Sequence, residues 1–203
     1  MGKLKYPESG TPKRKKPHEV TALRLDSAPL STEMSEYFKK CEEKIGFVPN
    51  VLIAYSHSMA KLETFAAFYN ELMLAPSGLS KLEREMIGVV VSAENRCFYC
   101  LVAHGAALRS LSGKPELGEA IAFNYRMAEI EPRQRAMLDF ALKVSRASAE
   151  ITEADREKLR EAGFNDADIW DIAATASFYA MSNRMASATG MSPNPEYHGQ
   201  ARG

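Results

Sequence analysis

Cys97, Cys100 and His104 stand in the stretch ENRCFYCLVAH: two thiols three residues apart, and an imidazole four residues after the second. Residues three, four and seven apart share one face of a helix, so on a helix all three side chains converge. The thiolate, not the thiol, is the nucleophile and the metal ligand, and a neighbouring imidazole can take a thiol proton. Dithiol redox chemistry, metal binding, and two buried thiols beside a core histidine are the readings to weigh. The last leaves the shared face as coincidence. A tetrahedral metal site needs a fourth ligand or an open position. There is no second CxxC, and His18, His57 and His198 are scattered along the chain. A c-type haem motif requires histidine where Leu101 stands, and a thioredoxin-like site requires strands around the CxxC. On these residues alone the redox and metal readings stay open, with buried core thiols the less favoured. Which thiol acts first stays open on these grounds. A helix start favours the thiolate at Cys97 through its dipole, whereas the histidine one turn on favours Cys100.

The elements that must position these groups read as helical nearly throughout. Met34, Phe38, Cys41 and Ile45 form an apolar stripe after a cap at Ser31 or Thr32, with Cys41 as a small core residue. The chain turns at Pro49 and Asn50, and a second helix carries Leu62, Phe65, Tyr69 and Leu72. Ser80 and Glu83 make a capping box for a helix continuing through Met86, Val89 and Val90. Gly88 costs that helix about 1 kcal/mol relative to Ala. Asn95 is the expected cap of the helix from Arg96 to about Leu111, with the CxxC in its first turns. Pro132 suits a further helix start, Thr152 and Asp155 open a short helix that Gly163 closes, and Asn165 caps a long one to about Ala188. The small-sided run Ala173, Ala174, Ala176, Ser177, Ala180 invites close approach by another helix, from this chain or a second copy. The blocks 79–113 and 151–190 share an outline of capped helix, break and longer helix. The C-terminal MSPNPEYHGQARG reads as turn-rich and extended. No strand emerges, so the fold class is all-α, with residues 1–20 as a flexible arm and 21–203 as one helical domain.

Composition narrows the partners. The 203 residues are 45% hydrophobic and 26% charged, with 26 basic and 26 acidic side chains and a formal net charge of +0. That is an ordinary soluble composition, and the balance points to neither nucleic acid nor an anionic membrane. The run Lys13, Arg14, Lys15, Lys16 reads as a solvated tail. No apolar run approaches the roughly 20 residues of a membrane span, and the N-terminus lacks the apolar stretch of a secretory signal. Three cysteines are too few for a secreted disulfide scaffold, so a reducing cytoplasm is expected.

The pattern E-x(11)-C-x-x-C-x-x-x-H, from Glu85 through Cys97 and Cys100 to His104, resembles the alkylhydroperoxidase D-like proteins of the carboxymuconolactone decarboxylase superfamily. GFVPNVLIAYSH, RAMLDFALKV, AGFNDADIWDIAA and MSPNPEYH extend the likeness to the peroxidase-related subgroup over roughly residues 40–198. The resemblance implies an all-helical, oligomeric fold, and the small-sided helix after Asn165 with the C-terminal tail offers packing surfaces for a homo-oligomer, a dimer or a hexamer built from dimers. It implies a dithiol that reduces a peroxide. Cys100 would attack, Cys97 would resolve the sulfenic acid to a disulfide, His104 would take the Cys100 proton, and Glu85 would orient His104. A thiol or lipoyl-type reductant would reset the pair, with no metal or organic cofactor expected. Well-studied members resemble this chain except for a histidine just before the second cysteine, where this chain has Tyr99. A phenol with an unperturbed pKa near 10 hydrogen-bonds but does not shuttle protons readily at neutral pH. A lactone decarboxylase, whose relatives do not rely on a cysteine pair, and a non-enzymatic zinc or redox-sensing module are the rival readings.

Overall fold

The computed structural model of the chain describes residues 15–202. Among them there is no strand; the order is α1 (Pro17–Val20), α2 (Thr32–Ile45), α3 (Asn50–Tyr55), α4 (Met59–Leu74), α5 (Lys81–Glu94), α6 (Phe98–Ser112), α7 (Pro115–Asn124), α8 (Pro132–Ala147), α9 (Glu153–Glu161), α10 (Asp166–Ala188) and α11 (Glu196–Gly199). Short 3-10 turns follow α7 and α8. No helix among the described residues is long and apolar enough to cross a membrane.

Helix α5 lies at the centre, packed against α6, α7, α8 and α10. Every residue from Glu83 to Ser92 is buried, as expected for a helix apolar on nearly all sides. Its start is the expected capping box: the Glu83 N–H donates to Ser80 Oγ at 3.2 Å, and the Ser80 N–H donates to Glu83 Oε2 at 2.8 Å. Met86 and Ile87 are fully buried. Each contributes roughly 1.5–3 kcal/mol by area removed from water, an upper value because the unfolded chain is itself partly collapsed. The starts at Ser31, Pro132, Thr152 and Asn165 also form where the sequence puts them, and Gly163, in the left-handed region at φ 89°, follows α9.

Four readings change. Asn95 is the C-cap of α5 rather than the N-cap of α6, its Nδ2 donating to the Val91 carbonyl at 3.0 Å. Arg96 then takes a left-handed turn at φ 51°, and Cys97 itself becomes the N-cap of α6. The stripe on α2 is buried only at Phe38; Cys41 is half-buried and Ile45 exposed. The C-terminal segment is docked rather than merely extended. The Asn50 N–H donates to Asn194 Oδ1 at 2.7 Å, Asn194 Nδ2 donates to the Val48 carbonyl at 3.0 Å, and α11 lies against α6. Arg109 fastens it further, donating to the carbonyls of Tyr197 and Gln200, each at 3.0 Å. Finally, the arm expected over 1–20 falls outside the described residues up to 14, including Lys13 and Arg14, but Pro17–Val20 is helical and Val20 is in the core.

Candidate active site

The break between α5 and α6 places the two sulfurs. The Cys97 N–H donates to the Ser92 carbonyl at 2.9 Å, which ties the end of one helix to the start of the next. As N-cap and third helical residue, Cys97 and Cys100 meet at the positive end of α6. Each thiol shifts the ionisation of the other, and both residues are buried.

A polar bed lies under the sulfurs. Asn183, buried on α10, donates from Nδ2 to Ser92 Oγ at 2.9 Å and accepts from Asn95 Nδ2 at 3.1 Å. The thiol of Cys100 is the first cause of a Cys97 pKa lowered to about 6; the Cys100 amide, Ser187 and Asn183 act in the same direction. Cys100 is raised, first by the Cys97 thiol, then by burial and by the Cys97 charge. The two sulfurs act on each other in opposite senses: ionisation is eased at Cys97 and opposed at Cys100.

Access runs the other way. A cavity of about 750 Å³ opens beside α6, and Cys100 lines it while Cys97 does not. His104, one turn beyond Cys100, lines the same cavity, as does Glu85 from α5. His104 Nδ1 is 2.8 Å from Glu85 Oε2, and both side chains are largely buried. An ionised carboxylate only accepts at that distance, so His104 donates to it from Nδ1. Tyr99 is buried; its hydroxyl accepts from the Val51 N–H at 2.9 Å, tying α6 to α3. Burial is the first cause holding its phenol well above the ordinary value. Cys41 also lines this cavity, its thiol pushed up by burial. Among the described residues, no group of three or more His, Cys, Asp or Glu side chains is arranged to hold a metal ion.

Sequence reasoning missed Tyr179, Gly88, Ser92 and Asn183. The Tyr179 hydroxyl lies 3.2 Å from His104 Nδ1 and 3.4 Å from Met73 Sδ, and its ring meets the imidazole edge-on with centroids 4.6 Å apart. With Nδ1 protonated, the phenol oxygen shares that hydrogen with Glu85 and turns its own toward the sulfur. Gly88 makes room for the ring: a Cβ there would stand 2.9 Å from Tyr179 Cζ. A helical glycine in an apolar stretch was the one available signal, since it marks a close approach without naming the partner.

Residues 61–141 match the model of the Carboxymuconolactone decarboxylase family. A crystal structure of an uncharacterized peroxidase-related protein from Silicibacter sp. TM1040 is 62% identical, with a TM-score of 0.87 over 95% of this chain and 100% of that one. A second, described as an alkylhydroperoxidase AhpD core and uncharacterized peroxidase-related protein from Ralstonia eutropha JMP134, is 50% identical, with a TM-score of 0.83 over 86% of this chain and 92% of that one. The debrominase Bmp8 shares the fold alone, at 17% identity and a TM-score of 0.69 over 82% of this chain and 88% of that one. None of the curated proteins matches the chain significantly. The chain belongs to the carboxymuconolactone decarboxylase family, in its alkylhydroperoxidase D-like branch.

Proposed function

We propose that the chain is a thiol-dependent hydroperoxide reductase. The observation that carries this reading is the placing of the sulfur pair: two buried thiols at the start of α6, of which Cys100 lines a cavity shared with His104 and Glu85. His104 Nε2 takes the Cys100 proton, and Glu85 holds the imidazole through Nδ1 and offsets the charge that develops on it. The Cys100 thiolate attacks the terminal oxygen of R–O–O–H. The O–O bond breaks, RO⁻ leaves and is protonated to R–OH, and Cys100 becomes a sulfenic acid. The Cys97 thiolate then displaces hydroxide, which leaves as water, and a disulfide forms. The dithiol gives up two electrons and the peroxide is reduced to an alcohol and water. An external dithiol, small or carried on a partner protein, restores the thiols by exchange in a reducing cytoplasm.

The order of the thiols is tested by sulfenate trapping. Cys97→Ser is expected to hold a sulfenic acid after one equivalent of hydroperoxide, because it retains the thiol facing the cavity and lacks the resolving partner. Cys100→Ser is expected to yield none. The reversed pattern would make Cys97 the attacking sulfur and overturn the assignment of Cys100.

A further inference from the structure

The wall of the cavity is unusual in two respects. Six of the chain's eight tyrosines line it: Tyr37, Tyr55, Tyr69, Tyr99, Tyr179 and Tyr197. Phe65 and Phe178 add to them, with Tyr55 stacked on Phe65 at 4.3 Å between centroids. Aromatic walls favour flat partners through offset and edge-on contacts, and phenols supply hydrogen bonds without charge. A substrate as small as hydrogen peroxide makes no use of about 750 Å³ of such surface.

Charge is the second respect. Lys40 and Lys44 on α2 and Lys81 at the start of α5 line the cavity, and all three are exposed, which places them at its mouth. None of the three forms an ion pair with a described residue. Among the described residues Glu85 is the sole carboxylate on the wall, and it is engaged by His104. The opening is therefore cationic, the walls are aromatic, and the reactive sulfur lies within.

We infer that the cavity selects an organic hydroperoxide with a flat apolar body and a carboxylate, the carboxylate meeting Lys40, Lys44 and Lys81 while the peroxide reaches Cys100. This rests on the dithiol reading above and adds the class of substrate to it. The redox step is unchanged: the O–O bond is cleaved, the Cys97–Cys100 disulfide forms, and the products are a hydroxy acid and water.

Para-carboxycumene hydroperoxide and its methyl ester differ in one charge, so their ratio of thiol-oxidation rates reads the lysines directly. In single turnovers at low salt, the acid is expected to react about fivefold faster or more, since one water-exposed charge contact is worth roughly that factor. The ratio is expected to fall toward one in K40Q/K44Q/K81Q and with rising salt. Lys39→Gln, a lysine of α2 that pairs with Glu43 and does not line the cavity, should keep the ratio. Equal rates for acid and ester in the unaltered protein, or a ratio that survives in the triple variant, would overturn carboxylate selection and leave the dithiol chemistry standing. Equilibrium binding of the corresponding alcohols, acid against ester, separates the two claims. If no hydroperoxide consumed thiols while the acid alcohol still bound more tightly through the lysines, peroxide reduction would fall and carboxylate recognition would stand.

Discussion

Cys97 has the lowered pKa but does not line the cavity, whereas Cys100 lines the cavity but holds its proton. The anion is favoured at Cys97 first through the Cys100 thiol, and Cys100 shares a cavity wall with His104. The coupling of the two sulfurs is what the sequence could not show. A pH dependence follows. Cys97 falls from an ordinary thiol value near 9 to about 6. Between these values the folded chain binds fewer protons than the unfolded one, so the pair stabilises the reduced protein increasingly as pH rises, and this contribution is lost as pH falls through about 6. Thiolate absorbance of the reduced protein should titrate with a midpoint near that value, and Cys97→Ser should lack the transition. A first thiol titrating near 9 in the unaltered protein would contradict the lowering at Cys97.

At the scale of elements, helix starts were legible because a cap is a local event. Ser80 with Glu83, Thr152 with Asp155, and Asn165 need only their own next turn to be recognised. Asn95 was ambiguous because asparagine serves either end of a helix, and only the tertiary path shows that it closes α5 and leaves Cys97 to open α6. Helix α7 was missed because its ten residues carry a weak apolar pattern. The Glu85–His104 contact was anticipated from the family resemblance, but Tyr179 was not, since nothing in α10 alone points to a histidine 75 positions earlier. Gly88 is where the two elements meet. Gly88→Ala places a methyl against a rigid ring and should cost about 1–3 kcal/mol in denaturant unfolding. Peroxide-driven thiol oxidation should slow as well, because the Tyr179 hydroxyl leaves His104. Full stability and an unchanged rate would remove Tyr179 from the account of the site.

The cavity belongs to the whole molecule: its wall draws on α2 through α6, α10 and the C-terminal segment, from Tyr37 to Ala201. No local pattern encodes such a surface, and the docking of Asn194 that brings Tyr197 to it is a contact across 146 positions. The expected packing face of α10 is divided. Ala176 and Ala180 are buried within the chain, while Ser177 and Met181 face out, and Trp170 on the same helix is 75% exposed. Phe123 and Met127 add a second exposed apolar site at 87% and 78%. Surfaces of this kind mark association, and we expect a homo-oligomer built from dimers; sedimentation at micromolar concentration giving a monomer mass would contradict it. The central claim, that the dithiol reduces a hydroperoxide, is tested most directly on the intact chain. Thiols are counted and mass is measured anaerobically before and after one equivalent of hydroperoxide. The account predicts the loss of two thiols and of two hydrogens, with one equivalent of alcohol formed; a chain that keeps all its thiols and its mass would contradict it.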